Sequence, residues 1–181
     1  MLIQCAADFH GKTEKYREFI KAYKKIKPDI VIIAGDLGFV EKEIFNEISS
    51  PIYAVYGNMD GDLSHLESKI EFIDGKTISF KNIKLHGFIN EKIKENVDII
   101  VSHYPPYKVR DKTFFGMHIG SKVLTKVIKE IKPKYVICGH VHECFGYEKY
   151  NNCYIINCSI GKKGKYTIIN YDKEIKMVGY L

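Results

Sequence analysis

Arginine is almost missing from this 181-residue chain: among 28 basic residues only Arg17 and Arg110 carry a guanidinium. Proteins that read nucleic acid lean on arginine for bidentate contacts to phosphates and base edges. The net charge of +6 comes instead from scattered lysines, with small groups at Lys24, Lys25, Lys27 and at Lys162, Lys163, Lys165. Such a pattern reads as solvated surface whose field draws small anionic substrates, and it argues against a nucleic-acid track. Long apolar runs are missing too. Ile30 to Ala34 is strand-sized, far below the ~20 residues of a membrane helix. Residues 2–7 (LIQCAA) are too short for a secretion signal, have no basic leader and run straight towards Asp8 and His10. The expectation is a cytoplasmic protein without a membrane partner. The five cysteines (Cys5, Cys138, Cys144, Cys153, Cys158) form no CxxC pair. Their odd number weighs against a disulfide framework and against zinc–thiolate chemistry. No repeat, low-complexity tract or linker interrupts the chain, so one domain over 1–181 is expected.

What is present is a series of short apolar runs alternating with amphipathic stretches. Met1 to Ala7, 29–34 (DIVIIA), 52–56, 98–102 (DIIVS) and 135–138 read as buried strands. Tyr16, Phe19, Ile20, Tyr23 and Ile26, three and four apart, predict a helix over 13–26, closed by Pro28. Further helices are expected over 41–48, 61–69 and 121–131, and a hairpin around Asn82 from strands at 77–80 and 83–88. Three late strands, near 153–158, 165–170 and 174–179, complete a mixed α/β pattern with sheet inside and helices outside.

Five of these apolar runs end in the same way, with a metal-capable residue just beyond: Asp8, Asp36, Asn58, His103 and His140. In open α/β sheets ligands bind beyond the carboxyl ends of strands, so these side chains can converge on one crevice. Two ends carry a partner two residues on, Asp8-Phe9-His10 and His140-Val141-His142. In extended chain such a pair points to one side, about 7 Å apart. Gly35, Gly57 and Gly139 precede Asp36, Asn58 and His140 and are expected to permit the turns that aim them. Any one of these features has an ordinary explanation as a turn, a helix cap or a hydrogen-bonded core histidine. The ordered set does not, since four of the seven histidines fall in it.

The order DxH, GD, GN, a lone His and GHxH resembles the calcineurin-like metallophosphoesterase superfamily over nearly the whole chain. The stretch from Ser102-His103-Tyr104-Pro105-Pro106 through Gly120-Ser121 to Gly139-His140-Val141-His142-Glu143 is similar to its small, cap-less bacterial and archaeal phosphoesterases. The resemblance implies a four-layer α/β/β/α sandwich of two mixed sheets flanked by helices. It also implies two divalent ions, one held by Asp8, His10 and His142, the other by Asn58, His103 and His140, with Asp36 shared. Such a nitrogen and oxygen donor set suits Mn, Fe, Zn or Ni, with Mn the first choice. The implied reaction is hydrolysis of a small-molecule phosphate ester by a hydroxide held between the metals.

One departure stands out. Where the superfamily has GNH followed by Asp or Glu, this chain has Gly57-Asn58-Met59-Asp60. The histidine that assists the leaving group in many relatives is replaced by a side chain with no proton to give. Small relatives lacking it often act as phosphodiesterases, so diesters are preferred over monoesters here. His118, in a polar loop before a helix start, is the candidate replacement acid, and Tyr104 and Arg110 are candidate substrate contacts. The alternatives are a nuclease of the same superfamily, or a non-catalytic metal-binding scaffold of the kind one eukaryotic member has become. A scaffold would expose a large apolar patch.

Overall fold

The runs LIQCA and IVIIA form adjacent parallel strands in the computed structural model, which describes residues 1–161 and 164–179. The lysine group at Lys162 and Lys163 lies outside the described residues. The first sheet contains β1 (Leu2–Ala6), β2 (Ile30–Ala34), β3 (Ile52–Val55), β4 (Glu71–Phe72), β11 (Gly164–Asn170) and β12 (Glu174–Gly179), in the order β12-β11-β1-β2-β3-β4. The second contains β5 (Thr77–Phe80), β6 (Ile83–Gly87), β7 (Ile99–Val101), β8 (Tyr135–Cys138), β9 (Gly146–Tyr150) and β10 (Cys153–Asn157), in the order β5-β6-β7-β8-β10-β9. Both mix parallel and antiparallel pairings.

Strand β2 shows why the runs are continuous rather than alternating. Ile30, Ile32 and Ala34 pack into a core between the two sheets, against Ile99, Val101 and Ile137. Val31 and Ile33 turn outward onto Phe19, Tyr23 and Leu66. A strand covered on both faces needs apolar residues at every position. Helix α1 (Thr13–Ile26) covers the outer face of the first sheet, its buried stripe being Tyr16, Phe19, Ile20, Ala22 and Tyr23. Helix α2 (Lys122–Ile131) covers the second with Leu124, Val127 and Ile128. Ser121 caps α2 by accepting from Leu124 N at 3.0 Å. The expected sandwich of two mixed sheets is present, and its helices are few.

Two expected helices are shorter and of another type. The 41–48 stretch is a 3₁₀ helix, Lys42–Glu47, which buries only Phe45. In 61–69 only Ser64–Leu66 is 3₁₀ helical, because Asp62 accepts from Ser64 N at 2.9 Å and ties the chain into a local turn. Strands β4 and β9 lacked a sequence signal; β9 is an edge strand with Tyr147, Glu148 and Lys149 exposed. No helix among the described residues is long and apolar enough to cross a membrane.

Candidate metal centre

The parallel strands β1, β2, β3, β7 and β8 end at one side of the sandwich, and the seven residues Asp8, His10, Asp36, Asn58, His103, His140 and His142 meet there. The loops after β1 and β2 run side by side, with Asp8 N donating to Gly35 O, His10 N to Asp36 O and Gly11 N to Leu37 O. An isolated bridge between Ala7 and Ser159 joins β1 to the end of β10, and so brings the two sheets together at the site.

The local backbone differs from the extended geometry expected for the DxH and HxH pairs. Asp8, His10, Asp36 and His140 all have positive φ, between 50° and 67°. Left-handed backbone is uncommon for residues other than glycine and clusters at functional sites. The turn is therefore made by the candidate ligands, and two of the preceding glycines serve a different need. A Cβ on Gly57 would overlap the carboxylate and amide of Asp36, and one on Gly139 would overlap Ala7 and crowd Asp8 Oδ2. These glycines allow strand ends to approach each other; only Gly35 itself has positive φ.

His103 is held by its far nitrogen. Nδ1 lies 2.9 Å from the Ala34 carbonyl, which can only accept, so Nδ1 carries the proton and Nε2 presents a lone pair. That lone pair faces Asn58 Oδ1 at 2.9 Å, His140 Nδ1 at 3.2 Å and Asp36 Oδ2 at 3.5 Å. On the other side His10 Nε2 sits 3.3 Å from His142 Nε2 and 3.8 Å from Asp36 Oδ2, with His142 Nε2 3.6 Å from Asp8 Oδ1. A single proton satisfies one such contact. A divalent cation satisfies several at once, so this donor set fits metal. Ligand atoms of Asp8, His10 and His142, and of Asp8, Asp36 and His103, lie within 4.8 Å of one another.

Burial acts on the titrating members in opposite ways. It pushes His140 down to about 4, with His103 adding to the effect. For Asp8, burial would raise the pKa, but hydrogen bonds from His142 and Ser159 outweigh it and the carboxyl is held below its ordinary value. His140 N also donates to the Asp8 carboxylate at 3.1 Å.

Three further groups position the site, and only Asp60 belongs to one of the motifs. Asp60 accepts from Gly38 N and Gly57 N, each at 2.8 Å, and ties the β2 loop to the β3 loop. Buried Asn157 donates to Gly139 O and Val141 O and fixes the GHxH segment. Wholly buried Asp111 accepts from His118 Nδ1 at 2.6 Å and from the amides of Lys108 and Gly120. A lone acid among Lys108, Arg110 and Lys112 was the only visible hint.

The chain matches the family model for the calcineurin-like phosphoesterase superfamily domain over residues 1–170. It belongs to this superfamily. A protein of Methanocaldococcus jannaschii, the uncharacterized MJ1162, is 26% identical over 200 residues, covering 88% of each chain. The Caenorhabditis elegans protein T07D4.2, of the UPF0046 group, is 32% identical over 84 residues, spanning 43% of this chain and only 21% of that one. Among solved structures, an archaeal phosphodiesterase superposes with a TM-score of 0.73 at 20% identity, covering 99% of this chain and 100% of its own.

Within this calcineurin-like fold the remaining sequence candidates separate. Tyr104 packs on His140 with ring centroids 4.3 Å apart, and His118 lines the same cavity as Asn58 and His103. Arg110 does not join them: it donates to Tyr147 O at 2.8 Å and lies 3.8 Å from Glu148, against β9. Met59 is 69% exposed, while its backbone N donates to Asp36 Oδ1 at 2.8 Å. The turn between Lys112 and His118 presents Phe114 and Phe115 at 80% and 83% exposure.

Proposed function

We propose that this chain is a metal-dependent phosphoesterase that prefers diesters of small molecules. The observation that supports the reading is the cluster of donor atoms around His103 Nε2, from Asn58, His140 and Asp36, which one cation would satisfy together. Asp8, His10 and His142 would hold one ion, Asn58, His103 and His140 a second, and Asp36 both, with manganese the first choice. Two such ions lower the pKa of a shared water and offset the charge of a phosphate.

The chain's own residues then divide the work. Ala34 O keeps His103 in the tautomer that offers Nε2. Asp60 and the Met59 amide hold the Asp36 and Asn58 loops in register. Tyr104 flanks the phosphate position beside His140. His118, oriented by Asp111, is the proton donor to the leaving oxygen in place of the histidine that Met59 displaces. The loss of the motif histidine at Met59 favours esters whose alcohol needs less protonation, and hence aryl esters and diesters.

A matched pair of aryl phosphomonoester and phosphodiester, assayed with Mn, Ni and Mg in turn, tests this. The diester should be hydrolysed faster. Rates no higher than those of Asp36→Ala with every metal overturn the enzymatic reading. The exposed Phe114 and Phe115 are what a binding module would present, and that second reading would then stand.

A further inference from the structure

A cavity of about 820 Å³ opens beside the ligand cluster, on the side of Asn58 and His103. Hydrolysis at phosphorus uses only its inner edge. Its apolar walls are Tyr56, Phe88, Ile89, Tyr107 and Val123, brought together from distant parts of the chain, with Asn90, Ser121 and Lys122 at its polar side. A bare phosphate or a methyl ester needs no such walls. Spaces of this size and lining hold ligands as large as a cofactor or drug molecule, with a few polar groups setting orientation.

One carboxylate faces the same space. Tyr56 N donates to Asp74 Oδ1 and Oδ2 at 3.1 and 3.3 Å, and the residue's own amide also meets the carboxylate. Burial raises the Asp74 pKa above the ordinary carboxylate value. A carboxylate in an apolar wall is costly unless a donor meets it. A hydrocarbon ligand would deepen that cost, whereas a ring bearing N–H groups would remove it.

We propose that this cavity binds the organic part of the substrate, and that this part is a planar ring with N–H donors, the chemistry of a nucleobase. The inference rests on the phosphoesterase reading, which puts the phosphate at Asn58 and His103. The ring then stacks among Tyr56, Phe88 and Tyr107, and its donor edge meets Asp74. Aromatic stacking selects for flat groups, while the acid selects among them.

Three p-nitrophenyl phosphodiesters whose second ester is methyl, phenyl or guanosine 5′ share one leaving group and isolate the cavity's contribution. The guanosine ester should exceed the methyl ester in kcat/KM by about tenfold or more, and Asp74→Asn should shrink its advantage over phenyl. Equal rates for all three overturn the inference while leaving the phosphoesterase reading intact. A phenyl ester that outruns guanosine overturns the nucleobase assignment, and an oligonucleotide cleaved faster than the mononucleoside ester overturns the small-molecule one. Methyl NMR shifts of Ile89 and Val123 in the metal-stripped protein give a readout independent of activity. Guanosine monophosphate should move them where methyl phosphate does not, and equal responses count against the cavity even if no ester is hydrolysed.

Discussion

His118 Nδ1 and Asp111 Oδ1 lie 2.6 Å apart, with the acid fully buried and the imidazole reaching the cavity beside Asn58. Nδ1 donates to the carboxylate, which leaves Nε2 to exchange a proton with a substrate, as a donor when both ring nitrogens are protonated. Replacing His118 with Gln should lower kcat by ~10² or more on alkyl esters and much less on aryl esters, whose alcohol leaves without help. Asp111→Asn should show the same leaving-group dependence in weaker form. A uniform loss across leaving groups would falsify the proton-transfer role and leave a structural one.

The position of Met59 makes the converse experiment possible. Its side chain is 69% exposed and its amide is already bonded to Asp36, so Met59→His should leave stability within ~0.5 kcal/mol. The introduced imidazole should raise rates on alkyl esters, with little gain on aryl ones. Melting temperature and a leaving-group series check both parts.

Asp60 ties Gly38 N to Gly57 N across two loops. Asp60→Ala strands both amides, and each lost charged hydrogen bond costs ~1–3 kcal/mol. Calorimetric titration with Mn should show weakened binding together with a lower melting temperature. Asp60→Asn keeps one acceptor oxygen and should recover part of each.

Gly139 leaves room for the Asp8 loop. A Cβ at this position would overlap Ala7 and press on Asp8 Oδ2. Gly139→Ala should therefore reduce metal affinity in a titration, through displacement of Asp8 from His142. Affinity equal to that of the unsubstituted chain would show that the loop relaxes without cost.

In the metal-stripped protein, acid should be destabilising from an unusually high pH. Burial pushes His140 down to about 4 from its ordinary value of 6.5, so between those values the unfolded chain binds the extra proton. Stability then rises with pH across that window and falls as pH drops through it. Asp8, held low, adds stability above 3.8 that is lost as pH falls further. A melting-temperature profile should fall from near pH 6.5 downward, and His140→Gln should flatten the upper part of that fall.

Much of this architecture was legible because the apolar runs and the amphipathic stripe of α1 follow from burial alone. Helix α1 occupies the expected 13–26, and the 77–80 and 83–87 strands pair as the hairpin around Asn82. Short elements were misjudged where one buried residue or one side-chain hydrogen bond decides the backbone, as at Phe45 and Asp62. Edge strand β9 escaped notice because an exposed strand has no apolar periodicity to display.

The order of the seven candidate ligands and their places after apolar strands are properties of the linear chain, since parallel strands carry their ends to one side of a sheet. The left-handed backbone at Asp8, His10, Asp36 and His140 is not, because it depends on the β1 and β2 loops bonded to each other and on His140 N meeting the Asp8 carboxylate from the other sheet. Asp60, Asn157 and Asp111 likewise became meaningful only through partners distant in sequence or buried by folding. The sequence determined which donors the site holds. Only tertiary packing decided how closely they meet, because those distances are set by glycine-sized gaps between strand ends and by carboxylates that fasten one loop to the next.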